Sequence, residues 1–121
     1  MKEKGSEDAL KVAQKLLKFI TPRTLKIRLY VLRARSLTPM DINGKSDPYL
    51  WLRLGGREIE DVESEREDTN DPNFYRYYEF TVKLPGESVL EIQVWDEDGI
   101  DDDLIGSTKI DLEDRYFSKY Y

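Results

Sequence analysis

The 121-residue chain contains no cysteine and no histidine. Without cysteine there is no disulfide, no thiolate nucleophile and no thiolate metal ligand. Without histidine the usual general base near neutral pH and the commonest zinc ligand are missing too. Ser-His and Cys-His catalysis and most zinc sites are thereby excluded, and the chain reads as a non-enzyme. The lack of cysteine suits the cytoplasm. No apolar run approaches the ~20 residues that span a bilayer, and no secretory leader follows Met1. A basic excess is lacking as well. Lysine and arginine number 19 against 25 acids, a net charge of −6. That balance argues against nucleic acid, and against attraction to anionic lipid unless cations bind first. What remains is 39% hydrophobic and 36% charged, the balance of one globular domain with one core.

Residues 6–20 carry Ala9, Leu10, Ala13, Leu16, Leu17 and Ile20 at helical spacing, with Lys11, Lys15 and Lys18 on the other side. This predicts an amphipathic helix with Ser6 as N-cap, ended by Pro22. Its stripe is expected to pack on the sandwich, on a neighbouring domain or on a second copy, in preference to lying on lipid. Beyond Arg23 the texture is short strands. Leu25, Ile27, Leu29 and Val31 alternate with polar residues, and Tyr49 to Leu54 turns through Gly55-Gly56 into a third strand near Arg57 to Val62. Phe74 to Leu84, the run through Leu90, Ile92 and Val94, and Leu104 to about Leu112 supply three more. Repeated strands without interleaved helices predict an all-β antiparallel sandwich. The organisation expected is a helix or linker over residues 1–23 and the sandwich over 24–121. Only six strands are visible where a sandwich closes with seven or eight. Either the tail to Tyr121 forms another, or the last strands lie beyond it.

Aspartates gather at the strand ends. Asp41 and Asp47 fall in one stretch; Asp96, Asp98 and Asp103 fall in another, with Asp101 and Asp102 beside them. Carboxylates crowded at one end of a rigid scaffold repel strongly unless a cation joins them. Hard oxygen donors without His or Cys favour calcium over zinc or copper. Asp96 and Asp98 are two apart at a strand end, so their side chains leave one face together. Five aspartates and a few carbonyls do not saturate two or three ions, and a lipid phosphate fits the open positions, so calcium and lipid should raise each other's affinity. An EF-hand is excluded: counted from Asp96, position five is Ile100 and position twelve Ser107.

Ser46-Asp47-Pro48-Tyr49, Val94-Trp95-Asp96-Glu97-Asp98 and Asp103-Leu104-Ile105-Gly106 resemble the C2 domain family, an eight-stranded β-sandwich with calcium-binding loops at one end. Leu29 to Arg35, Asp41 to Lys45 and Lys109 to Lys119 resemble a ferlin C2 domain more closely. The resemblance implies that Asp41 and Asp47 are first-loop calcium ligands, Asp96 and Asp98 bridging ligands, and Asp103 the last ligand. The stretch from Asp98 to Asp103 is one residue shorter than in many relatives, which leaves open whether Asp102 or Asp103 points inward. Asn70-Asp71-Pro72 makes the second loop present but altered. Ile42 and Ile100 stand where relatives place membrane-inserting residues, with Met40 a weaker candidate.

Ferlins carry C2 domains in tandem and a C-terminal anchor, and act in vesicle fusion and membrane repair. The resemblance therefore implies an anionic phospholipid membrane as partner, together with neighbouring C2 domains or fusion proteins. The module would sit at the cytoplasmic membrane surface, within an anchored parent. The alternatives are a calcium-independent protein-interaction module and, more weakly, the targeting domain of an enzyme. The acidic third strand argues against a basic inositide groove, although Tyr75, Arg76, Tyr77 and Tyr78 offer part of one.

Overall fold

The computed structural model describes residues 4–39 and 44–117. A helix α1 (Lys4–Ile20) leads into six strands: β1 (Arg23–Arg33), β2 (Pro48–Leu54), β3 (Arg57–Asp61), β4 (Asn73–Leu84), β5 (Val89–Asp96) and β6 (Asp103–Asp111). A 3-10 turn spans Val62–Ser64, and a second helix α2 covers Leu112–Phe117. All strand pairs are antiparallel. β1 and β4 form one sheet, and the other runs in the order β3-β2-β5-β6.

Period-two alternation fills the space between the sheets. Leu50, Leu52, Leu54 and Leu90 face Phe74, Tyr78, Phe80, Val82 and Leu84, all buried. β1 contributes Leu25, Ile27, Leu29 and Val31, each half-buried. A truncation such as Phe80→Ala would remove about 3–5 kcal/mol.

One row breaks the apolar pattern. Arg76 lies on the core face of β4 between Phe74 and Tyr78, and pairs with Asp61 at the end of β3: Nε to Oδ2 at 2.8 Å and Nη2 to Oδ1 at 3.0 Å. The Tyr78 hydroxyl donates to the same carboxylate, and burial together with that carboxylate pushes the phenol pKa up. Arg76 and Tyr78 are thus structural. Tyr75 and Tyr77 face solvent on the other side of the strand, where Tyr77 packs on Tyr30 with ring centroids 5.0 Å apart.

Two expectations need correction. The helix begins at Lys4, two residues before its expected cap, and Glu7 through Leu17 are all exposed, so its stripe does not pack on the sandwich. The described part of the tail continues from β6 as α2, and Leu112–Phe117 form no further strand. Asp111 caps it, its Oδ1 accepting from the amides of Glu113 (3.0 Å) and Asp114 (3.2 Å). Leu112 is buried behind it, its amide donating to Ser88 O at 2.7 Å. Among the described residues no helix is long and apolar enough to cross a membrane.

Candidate functional site

Three loops meet at one end of the sandwich: residues 34–47 between β1 and β2, 65–72 before β4, and 97–102 between β5 and β6. Met40, Asp41 and Ile42 lie outside the described residues.

The first two loops are stitched together. Backbone bonds run from Ala34 N to Pro72 O (3.0 Å), Leu37 N to Asn70 O (2.9 Å) and Thr69 N to Ser46 O (2.8 Å). Asn70 Nδ2 donates to Gly44 O at 2.6 Å, and Ser36 N donates to Asp71 Oδ1 at 2.7 Å. The altered Asn70-Asp71-Pro72 stretch is therefore the clamp that sets the first loop's path. Gly44 takes φ +82°, a left-handed conformation that only glycine adopts freely.

β5 and β6 place the acids. Asp96 continues the core-facing row of Leu90, Ile92 and Val94 and is fully buried. Its Oδ1 accepts from the amide of Asp47 at 2.8 Å. Asp47 in turn accepts from the amide of Asp68 at 2.6 Å and, through its carbonyl, from the amide of Glu97 at 3.1 Å. Three loops thus converge on the Asp47–Asp96 pair. Asp103 stands directly across from Asp96, and antiparallel partners share a face. The register jumps between the Val94–Gly106 and Trp95–Leu104 pairs, which leaves Ile105 as a bulge beside the site.

Asp102 goes elsewhere. Its Oδ2 accepts from the Tyr49 hydroxyl at 2.6 Å on the outer face of the sheet. Burial first, and then Asp102 and Glu60, push the Tyr49 phenol pKa up. The structure thus separates the two aspartates whose orientation the sequence left open, with Asp103 in the row of Asp96. Asp98 turns back on its own loop, its Oδ1 accepting from the amides of Ile100 (3.2 Å) and Asp101 (3.0 Å). Among the described residues, no three acids are drawn to one point at metal-holding separation.

Two further acids belong to this end. Burial raises the Glu65 carboxyl pKa, and so do the charges of Glu97, Asp47, Glu67 and Asp102, in that order. Glu65 was missed in the sequence because it sits in no recognisable spacing, and Glu97, though inside the Asp96–Asp98 motif, is brought beside Asp47 only by the fold. At the rim Ile100 is 93% exposed. Beside it a shallow cavity of about 510 Å³ is lined by Tyr49, Trp51, Trp95, Glu60, Glu97 and Asp102 among others.

The donor chemistry fits a hard divalent cation: carboxylate and carbonyl oxygens, in a chain without His or Cys. The C2 domain model matches residues 25–120. Human myoferlin is 40% identical over 100 residues, 82% of this chain but 5% of its own length. Ferlin 2 of Toxoplasma gondii is 42% identical over 103 residues, 81% of this chain and 7% of its own. The chain therefore spans only a small part of these relatives. The calcium-bound tandem C2 domains of Extended-Synaptotagmin 2 superpose with a TM-score of 0.66 at 30% identity, over 78% of this chain and 36% of that one. Human GIVD cytosolic phospholipase A2 superposes with a TM-score of 0.67 at 25% identity, over 78% of this chain and 14% of that one. With its two antiparallel sheets, its acidic loop end and a family match across most of its length, this chain belongs to the C2 domain family and is similar to the ferlins within it.

Proposed function

We propose that this chain is a calcium-dependent phospholipid-binding module of a ferlin-like protein, working at the cytoplasmic face of a membrane in vesicle fusion, trafficking or repair. C2 domains generally bind phospholipid membranes, and the peripheral mode fits a module that carries no catalytic constellation of its own. The observation that carries the reading is the Asp47–Asp96 pair. A fully buried carboxylate is held by the amide of a second acid at 2.8 Å, with a third, Asp103, across the strand.

On this reading Asp41, Asp47, Asp96, Asp98 and Asp103 hold the calcium. Calcium, when bound, supplies the positive charge and the open coordination that a lipid phosphate fills. Asp96 is the fixed member, since burial and the Asp47 amide leave it no freedom. Asp98 is the adjustable one, because its carboxylate must release the Ile100 and Asp101 amides to reach inward. Asp102 stays with Tyr49 and shapes the outer wall. Ile100, with Met40 and Ile42 of the first loop, enters the headgroup region. In the absence of calcium, the negative loop end keeps these apolar tips away from anionic lipid.

One observation favours a second reading, a calcium-independent interaction module. The Asp98 and Asp102 carboxylates already have neutral donors in the Ile100 and Asp101 amides and the Tyr49 hydroxyl. Co-sedimentation with phosphatidylserine-containing vesicles separates the two. The calcium reading expects binding above the chelator baseline that Asp96→Asn removes; an identical pellet with and without calcium contradicts it.

A further inference from the structure

The apolar stripe of α1 is uncovered. Leu10, Leu16 and Leu17 are each 56–59% exposed, and every residue from Glu7 to Leu17 faces solvent. At 3.6 residues per turn, Leu10, Ala13, Leu16 and Leu17 share one face, with Lys11 and Lys15 opposite. The helix carries four lysines against Glu7 and Asp8, in a chain whose acids outnumber its bases by 25 to 19. Its charge is therefore opposite in sign to the rest of the molecule.

α1 is also joined to the opposite pole from the acidic loops. It enters β1 at Arg23, across from Leu84 on β4, and β1 then runs 11 residues to the first loop. That is about 36 Å of strand, several times the ~8 Å over which charges act at physiological salt. The junction of α1 with β1 is thus screened from the loop acids.

We propose that α1 is a second, calcium-independent membrane contact, lying in the headgroup plane of an anionic bilayer. Leu10, Ala13, Leu16 and Leu17 enter the acyl boundary, while Lys11 and Lys15 stay on the water side of the helix, within the negative surface potential of the headgroups. Charge selects this occupant over a second copy of the chain, since pairing α1 with its own copy would bring two lysine-rich helices together. Area does so as well. A stripe about 25 Å long and about 10 Å wide on each helix falls well short of the ~1,200 Å² buried by a stable protein interface. The inference does not rest on calcium binding at the loops.

The test is vesicle co-sedimentation of the full chain in chelator, with phosphatidylcholine vesicles containing or lacking phosphatidylserine. Wild type is expected to bind the anionic vesicles and to release with added salt. Leu10→Gln/Leu17→Gln should weaken binding at least tenfold. At about fivefold for each unit of charge near an anionic surface, Lys11→Glu/Lys15→Glu should weaken it at least a hundredfold. Both variants should melt with wild type, because the altered side chains are exposed. Absence of wild-type binding in chelator, or binding indifferent to both variants, overturns the proposal. So does a concentration-dependent dimer that the leucine variant dissolves while vesicles stay unbound. Asp96→Asn should keep the chelator binding, and the leucine variant should keep its calcium response, so this proposal and the calcium reading fail separately.

Discussion

Acidic side chains meet two different fates in this domain. Asp61, between the sheets, is answered by the Arg76 guanidinium and the Tyr78 hydroxyl. At the loop end, Asp47, Asp98 and Asp102 accept from backbone amides and a phenol, donors that carry no full charge. The first arrangement carries its countercharge in the chain, so its energy is spent on folding. On the proposed reading the second takes its countercharge from solution, and its energy is released only when the cation arrives. At the same end burial, and after it the charges of Glu97 and Asp47, push the Glu65 carboxyl pKa up.

Exchanging one carboxylate in each region should separate stability from calcium response. Asp61→Asn leaves Arg76 facing a neutral partner, and because Arg76 is partly solvent-screened the cost should be about 2–4 kcal/mol. Thermal unfolding should show a melting temperature lower by about 10 °C or more, with the calcium-induced upward shift intact. Asp96→Asn should do the reverse: calcium should no longer raise the melting temperature, which on the proposed reading it raises in wild type by binding only the folded loops. If both variants lose the calcium shift equally, the two regions are not distinct.

Ile100→Ala comes next in size. With its side chain 93% exposed, the substitution should leave stability and calcium affinity unchanged. It should weaken calcium-dependent vesicle binding by about 1–2 kcal/mol, the transfer value of the lost methylenes. A parallel fall in calcium affinity would place Ile100 in the ligand frame instead.

Glu65→Gln should have the smallest effect. A carboxyl whose folded pKa lies above its unfolded value opposes folding when ionised, so stability rises as pH falls through the folded pKa toward the unfolded one. In chelator at neutral pH the glutamine variant should therefore melt slightly above wild type. The gap should close below the unfolded carboxylate range of about 4, and should also narrow with calcium, which relieves the same repulsion.

Much of the sandwich was legible because alternation reports directly which face is buried. Phe74, Tyr78, Phe80 and Val82 were placed on one face by spacing alone, and the turn at Gly55-Gly56 by composition. Arg76, which the sequence offered only as part of a basic groove, instead pairs in that row with Asp61, 15 residues away, a partner that only the fold names. The loop aspartates could be found from spacing, whereas the difference between Asp102 and Asp103 could not. It depends on the Ile105 bulge and on which residue Tyr49 reaches. For α1, spacing gave the apolar stripe but not its cover: of the sandwich, a neighbouring domain and a second copy, the structure excludes the sandwich for Glu7 to Leu17. α2 was hidden because Lys109 to Leu112 alternates like a strand up to the capping Asp111.

Calorimetric titration of calcium into the wild-type chain, alone and with phosphatidylserine vesicles, bears hardest on the loop acids. Saturable binding that tightens when vesicles are present, and that Asp96→Asn abolishes, is the expected result. No heat of binding up to millimolar calcium, in either arm, would contradict it.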